Sequence, residues 1–158
     1  MDTVYIETPL GIASISGDEN GVISVSVTKE SSNEPSEDIP ASLQKVVFQL
    51  REYFEGKRTD FDVKLNPSGT DFQKKVWDEL LKIPFGKTST YMDMAKRLGD
   101  PKCIRAAASA NGKNPLWIIV PCHRVIGSDG SLTGYAGGLW RKKWLLEHEN
   151  PVKQQSLF

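Results

Sequence analysis

The hydrophobic spacing of this 158-residue chain changes period once, and a chain that changes period cannot be all helix or all strand. Val4 to Glu7, Ile12 to Ser16 and Val22 to Thr28 alternate apolar and polar residues, with Pro9-Leu10-Gly11 and Gly17-Asp18-Glu19-Asn20-Gly21 between them as turn chemistry. That pattern predicts a three-stranded antiparallel meander. Glu30 to Pro40 is polar, holds two prolines and reads as a surface loop. From Ser42 to Phe54 the apolar residues recur at helical spacing and stop before Gly56, so a helix should cover one face of the sheet.

Asn66-Pro67-Ser68-Gly69 breaks the pattern. Beyond it, Thr70-Asp71-Phe72 opens a helix whose stripe is Phe72, Val76, Leu80 and Leu81, closed by Pro84-Phe85-Gly86. The expected fold class is α+β: an N-terminal sheet-and-helix domain over 1–66, a mainly helical domain over 69–151, and a tail at 152–158. Within the second domain, Tyr91 to Leu98 and Pro101 to Ala110 are helical segments separated by Gly99-Asp100, a length and turn that fit a helix-turn-helix.

Several function classes drop out. The longest apolar run, Leu116 to Val120, is far too short to span a bilayer, and Met1-Asp2-Thr3 lacks a signal-peptide pattern, so an intracellular, cytoplasmic protein is expected. Two cysteines, Cys103 and Cys122, and two histidines leave little for a disulfide framework or a zinc site. Neither metal nor cofactor is expected. The formal charge is zero, yet residues 1–68 hold six Lys and Arg against twelve Asp and Glu, so the second half carries the compensating excess of positive charge. A basic half is compatible with a polyanionic partner such as nucleic acid.

Chemistry concentrates in Ile118-Ile119-Val120-Pro121-Cys122-His123-Arg124-Val125, where a cysteine directly precedes a histidine at the end of the apolar run. A thiol attacks carbon as its thiolate, and an adjacent imidazole can take the proton directly or through one water. A carboxylate in Glu147-His148-Glu149 could orient that base, but spacing does not choose between the two glutamates. Arg105 stands at the head of the small-residue run Ala106-Ala107-Ala108-Ser109-Ala110, which suits close approach to a nucleic-acid groove. The glycine-dense stretch from Gly127 to Gly138, with Tyr135 inside it, can wall a pocket.

Pro84-Phe85-Gly86-Lys87 through Tyr91, Asn114-Pro115, Pro121-Cys122-His123-Arg124-Val125, Gly134-Tyr135-Ala136-Gly137-Gly138-Leu139 and Trp144-Leu145-Leu146-Glu147-His148-Glu149 stand in the order and at the intervals of one family. The chain resembles the O6-alkylguanine-DNA alkyltransferases, also called methylated-DNA–protein-cysteine methyltransferases. The resemblance runs nearly continuously over residues 70–150, while the first 65 agree only in general layout.

The resemblance implies a ribonuclease H-like first domain and a helix-turn-helix in the second. It implies irreversible, single-turnover transfer of the alkyl group from O6-alkylguanine in double-stranded DNA to Cys122, by a monomer. His123 is then the base acting through water, Glu149 the acid that orients it, and Asn114 the brace of the active-site turn. Tyr91 donates to the guanine ring, and Arg105 fills the duplex where the lesion nucleotide is rotated out. Ala106, Ala107, Ser109, Ala110 and Arg124 join Arg105 and Tyr91 at the DNA, and Val125, Tyr135, Ala136 and Gly137 form the base pocket. Competing readings are a non-catalytic relative that only binds alkylated bases, a turnover cysteine hydrolase, and a plain helix-turn-helix DNA binder.

Overall fold

The structure, a computed structural model, describes residues 1–27, 34–130, 135 and 138–150. The chain divides into two compact units: Met1–Ser68 with Pro115–Ile119, and Gly69–Asn114 with the chain from Val120 onward.

In the first unit, β1 (Asp2–Thr8), β2 (Gly11–Asp18) and β3 (Gly21–Val27) form an antiparallel sheet in that order. Alternation puts Val4, Ile6, Ala13, Ile15 and Val25 on the buried face. Helix α1 (Ala41–Phe54) packs against all three strands through Leu43, Val46, Val47, Leu50 and Tyr53, one stripe of a 3.6-residue period. Each such aliphatic side chain contributes about 1.5–3 kcal/mol by leaving water. Gly56, at φ +77°, ends the helix where a side chain would be strained.

Both edges of the sheet are covered. Ser36 engages β1, its N–H donating to the Tyr5 carbonyl (2.8 Å) and its hydroxyl accepting from the Tyr5 N–H (3.0 Å). On β3, Val22 N donates to Lys64 O and Val25 N to Pro115 O, both at 2.8 Å, and Trp117 N donates back to Val25 O at 3.0 Å. Strand edges left bare invite pairing with other chains, so this cover has a use. It also sets Pro115–Ile119 apart from the continuous second domain expected from sequence. The backbone of this segment serves β3, and Leu116, Trp117, Ile118 and Ile119 are all buried. Ile118 is the one non-glycine residue at positive φ among the described residues (71°), a conformation that costs a β-branched side chain about 1–3 kcal/mol.

In the second unit α2 (Asp71–Leu80) starts with a complete capping box, the Thr70 hydroxyl accepting from Gln73 N and the Gln73 side chain accepting from Thr70 N. Its buried residues are Val76, Trp77 and Leu80. The expected stripe is corrected here: Phe72 and Leu81 are 36% and 46% exposed, and Trp77 takes their place because its indole N–H reaches the Ala110 carbonyl (2.9 Å). Next come β4 (Ser89–Thr90), α3 (Tyr91–Arg97), a 3-10 turn at Pro101–Cys103 capped by Asp100, and α4 (Ile104–Gly112). Gly99, at φ +101°, lets the chain turn between α3 and α4. β5 (Val125–Ile126) pairs in parallel with β4, and α5 (Leu139–Glu149) closes the unit. No helix among the described residues is long and apolar enough to cross a membrane.

Candidate active site

The ladder between β4 and β5 sets Ser89 opposite Val125 and Thr90 opposite Ile126, which brings the first residue of α3, Tyr91, beside the chain just after Cys122-His123-Arg124. Thr90 also caps α3, accepting from Asp93 N. The two-residue strands thus fix two parts of one site.

Cys122 opens a 3-10 turn, Cys122–Arg124, whose three residues are all buried. Val120 O accepts from both Cys122 N (2.8 Å) and the Asn114 side-chain amide (2.7 Å), so Asn114, just past the end of α4, braces the turn. Burial pushes the Cys122 thiol above its ordinary value, while the Asn114 side chain, the Lys142 charge, the turn's own backbone and the Tyr135 side chain work the other way. The resting group is therefore a thiol, and attack requires something to take its proton.

His123 is fully buried, and its Nε2 lies 2.7 Å from Glu149 Oε2. Burial lowers the His123 pKa more than Glu149 raises it, with Arg124 and Lys142 adding to the lowering, so the imidazole is neutral at neutral pH. A neutral ring donating from Nε2 to the carboxylate keeps Nδ1 as acceptor, and Nδ1 has no hydrogen-bond partner among the described residues. Glu149 is buried at the end of α5. Burial opposes its charge, but the hydrogen bonds and charges of His123 and Arg124 prevail and hold it well below the usual carboxylate range. Glu147, the other glutamate left open by spacing, pairs at 3.9 Å with Lys143 on the exposed side of α5.

Arg124, expected at the DNA, is instead locked inside. Its Nε and Nη2 donate to the two Glu149 oxygens (2.8 and 3.1 Å), its Nη1 donates to Ile83 O (2.6 Å), and the guanidinium lies over the Phe85 ring. The loop after α2 is held on the same side, since the Asn150 side chain donates to Gly86 O (3.0 Å).

On α4, Arg105, Ala106 and Ser109 are exposed as a groove-facing set requires. Ala107 and Ala110, also expected there, are buried at 2% and 3%, because they share the face packed against α2 and α3. Val125 has a fully buried side chain, its N–H donates to Cys122 O and its carbonyl accepts from Lys142, so it braces the turn. Tyr135 is half-buried beside the thiol. Ala136 and Gly137 lie outside the described residues.

Lys142 escaped the sequence reading. It is wholly buried, donates to Val125 O at 2.6 Å and stands over the Tyr91 ring, 5.8 Å from its centroid. A signal existed: Lys142, Leu145, Leu146 and Glu149 occupy one face of α5, so a lysine sat where periodicity demands an apolar residue. Among the described residues no cluster of His, Cys, Asp and Glu could hold a metal ion.

Comparison with known proteins adds the following. Residues 3–67 match the family model described as 6-O-methylguanine DNA methyltransferase, ribonuclease-like domain, and residues 71–151 match 6-O-methylguanine DNA methyltransferase, DNA binding domain. Proteins named methylated-DNA–protein-cysteine methyltransferase from Methanosarcina barkeri and Mycobacterium tuberculosis are each 46% identical, over 91% of this chain and 94% and 89% of theirs. A crystal structure of Mycobacterium tuberculosis OGT in complex with DNA superposes with a TM-score of 0.83 at 44% identity, covering 93% of this chain and 92% of that one.

Proposed function

The chain belongs to the 6-O-methylguanine DNA methyltransferase family and repairs DNA by taking an alkyl group onto one of its own cysteines, and we propose that the acceptor is Cys122 and the substrate O6-alkylguanine in duplex DNA. The observation that carries this assignment is the buried chain Cys122, His123, Glu149, Arg124, in which the acid and the arginine occupy one side of the imidazole and His123 Nδ1 is left to accept a proton.

The thiol proton passes through a water to His123 Nδ1, and the imidazolium so formed is stabilised by Glu149. The Cys122 sulfur then attacks the alkyl carbon in line with the guanine O6. A sulfur–carbon bond forms, the carbon–oxygen bond breaks, and the electron pair stays on the guanine. Tyr91, at the head of α3, donates a hydrogen bond to the guanine ring, which takes up a proton and leaves neutral. A thioether has no carbonyl for water to attack, so the sulfur is not regenerated and each molecule acts once. A base inside a duplex cannot present its O6 substituent to a buried thiol, so the nucleotide is rotated out at a cost of a few kcal/mol. Exposed Arg105 at the start of α4 fills the vacated stack, with Ala106 and Ser109 against the groove of a helix-turn-helix made of α3 and α4. Tyr135, beside the thiol, walls the base. The protein works as a monomer in the cytoplasm.

Intact-protein mass spectrometry after incubation with a duplex holding one O6-methylguanine tests this. We expect one methyl in place of one hydrogen, confined to the Cys122 peptide, saturating at one per protein and absent in Cys122→Ala. Tight lesion binding without a mass gain would make the protein a recognition factor instead.

A further inference from the structure

At the head of α5 a tryptophan faces water and the arginine after it does not. Trp140 is 49% exposed, while Arg141, whose guanidinium lies over the Trp140 ring at 4.4 Å from the centroid, is 3% exposed. That reverses the usual placement of the two residue types. The backbone ties this pair to the site: Gly138 N donates to Tyr135 O at 3.0 Å, Arg141 N donates to Gly138 O at 3.2 Å, and a Cβ on Gly138 would meet the Trp140 ring at 3.4 Å. On the inner side, the Arg141 charge acts on the Tyr135 phenol, and the Tyr135 side chain in turn reaches the Cys122 sulfur. A guanidinium beside a phenol strengthens its O–H as a donor, and a donor on sulfur favours the thiolate.

Resting on Cys122 as the alkyl acceptor, we propose that Arg141, held in place by the Trp140 ring, is a positioning residue that keeps the Tyr135 phenol donating to the Cys122 sulfur as the thiolate forms. The phenol proton stays on its oxygen, the thiol proton leaves toward His123, and the sulfur keeps the electron pair with which it attacks. Asn114 and Lys142 act on the sulfur directly, and Arg141 acts through the phenol. The exposed tryptophan is the outer end of this arrangement, giving the guanidinium a flat surface that fixes its plane.

The test uses full-length protein in a Cys103→Ser background, with Tyr135→Phe, Arg141→Met and the two combined, His123 and Lys142 staying in place throughout. Thiolate absorbance near 240 nm is titrated without DNA, as the difference from the matching Cys122→Ala protein, which removes the contribution of the tyrosines. Each single variant should raise the Cys122 midpoint by at least about half a pH unit, and the double variant should stand no higher than Tyr135→Phe alone. Single-turnover transfer from an O6-methylguanine duplex should slow by about twofold or more at pH 7 in both single variants and approach the parent rate at high pH. An unshifted midpoint in Tyr135→Phe overturns the proposal, and so does an Arg141→Met shift that persists in full when Tyr135 is already phenylalanine. A rate reduced equally at every pH would leave Arg141 with a packing role only. If Arg141→Met does not fold, Trp140→Leu decides, because it keeps the cation and removes its support: its midpoint should move in the same direction, and an unmoved one refutes the arrangement. A parent that transfers nothing would sink the functional reading alone, since the titration still reports whether Arg141 governs the sulfur through Tyr135.

Discussion

Replacing Glu149 by glutamine leaves the size of the side chain and removes its charge, and the consequence can be worked from its partners. Glu149 accepts from His123 Nε2, Arg124 Nε and Arg124 Nη2, with the two interacting side chains 1% and 8% exposed. The glutamine strands a guanidinium in the interior, and breaking a buried pair from one side costs about 3–5 kcal/mol. A domain of this size holds about 5–15 kcal/mol in all, and each kcal/mol shifts its melting temperature by about 2–4 °C, so Glu149→Gln should melt about 6–20 °C lower by circular dichroism or calorimetry. Adding Arg124→Met removes the stranded charge. The double variant should recover most of the loss, keeping about 1–3 kcal/mol because the Ile83 carbonyl has lost its buried donor. Transfer should remain slow in both, by a factor on the order of 10²–10⁴, because His123 is no longer held in the accepting tautomer. If Glu149→Gln melts within a degree or two of the parent, or the double variant loses the sum of the single losses, the ion pair is not what organises the end of α5.

Acid should weaken the fold before it reaches ordinary carboxylate values. His123 titrates lower when folded than its ordinary 6.5, so the unfolded chain binds the extra proton, and stability should fall as pH drops below about 6.5, by up to about 1.4 kcal/mol per unit, in urea titrations; in His123→Gln this slope should flatten. The depressed Glu149 contributes only further down, losing its share as pH falls through its folded value. Arg105→Ala should slow repair in duplex DNA by tenfold or more, while free O6-methylguanine base, which needs no extrusion, should react at an unchanged rate; equal loss on both would remove Arg105 from the flipping step. Gly69→Ala should cost about 1–3 kcal/mol, because a Cβ there meets the Trp77 ring at 2.5 Å, and an unchanged melting temperature would show that the ring yields freely.

The strands and α1 were legible because their periodicity is strict and one face of each is buried. The start of α2 was legible from Thr70, yet its buried face was not, since hydrophobicity ranks Phe72 and Leu81 with Val76, and only the hydrogen bond to Ala110 explains why Trp77 turns inward. β4 and β5 are two residues each and exist because the chain beside them needs partners, a demand that leaves no periodic trace. In the site, Cys122 and His123 were readable as adjacent chemistry, and the choice of Glu149 over Glu147 came from the resemblance. The structure supplies its reason, as Glu149 lies on the buried face of α5 with Lys142 and Leu145, and Glu147 does not. Arg124 misled because arginine is mostly found at surfaces, and nothing in a sequence says which arginine a buried carboxylate will recruit.

The return of Pro115–Ile119 to β3 also dictates an order of events during synthesis. Val25 emerges early and waits for a partner that the ribosome delivers long after the first sheet can close, so the edge of β3 stays incomplete until the chain has passed Trp117. The nucleophile follows only a few residues later. Completion of the oldest part of the fold and arrival of Cys122 are therefore nearly simultaneous, and a nascent chain has little time in which the reactive thiol is present without the finished sheet. A gene fragment beginning at Gly69 would lack that safeguard, carrying Leu116, Trp117, Ile118 and Ile119 with no strand to receive them, and is expected to aggregate when expressed alone.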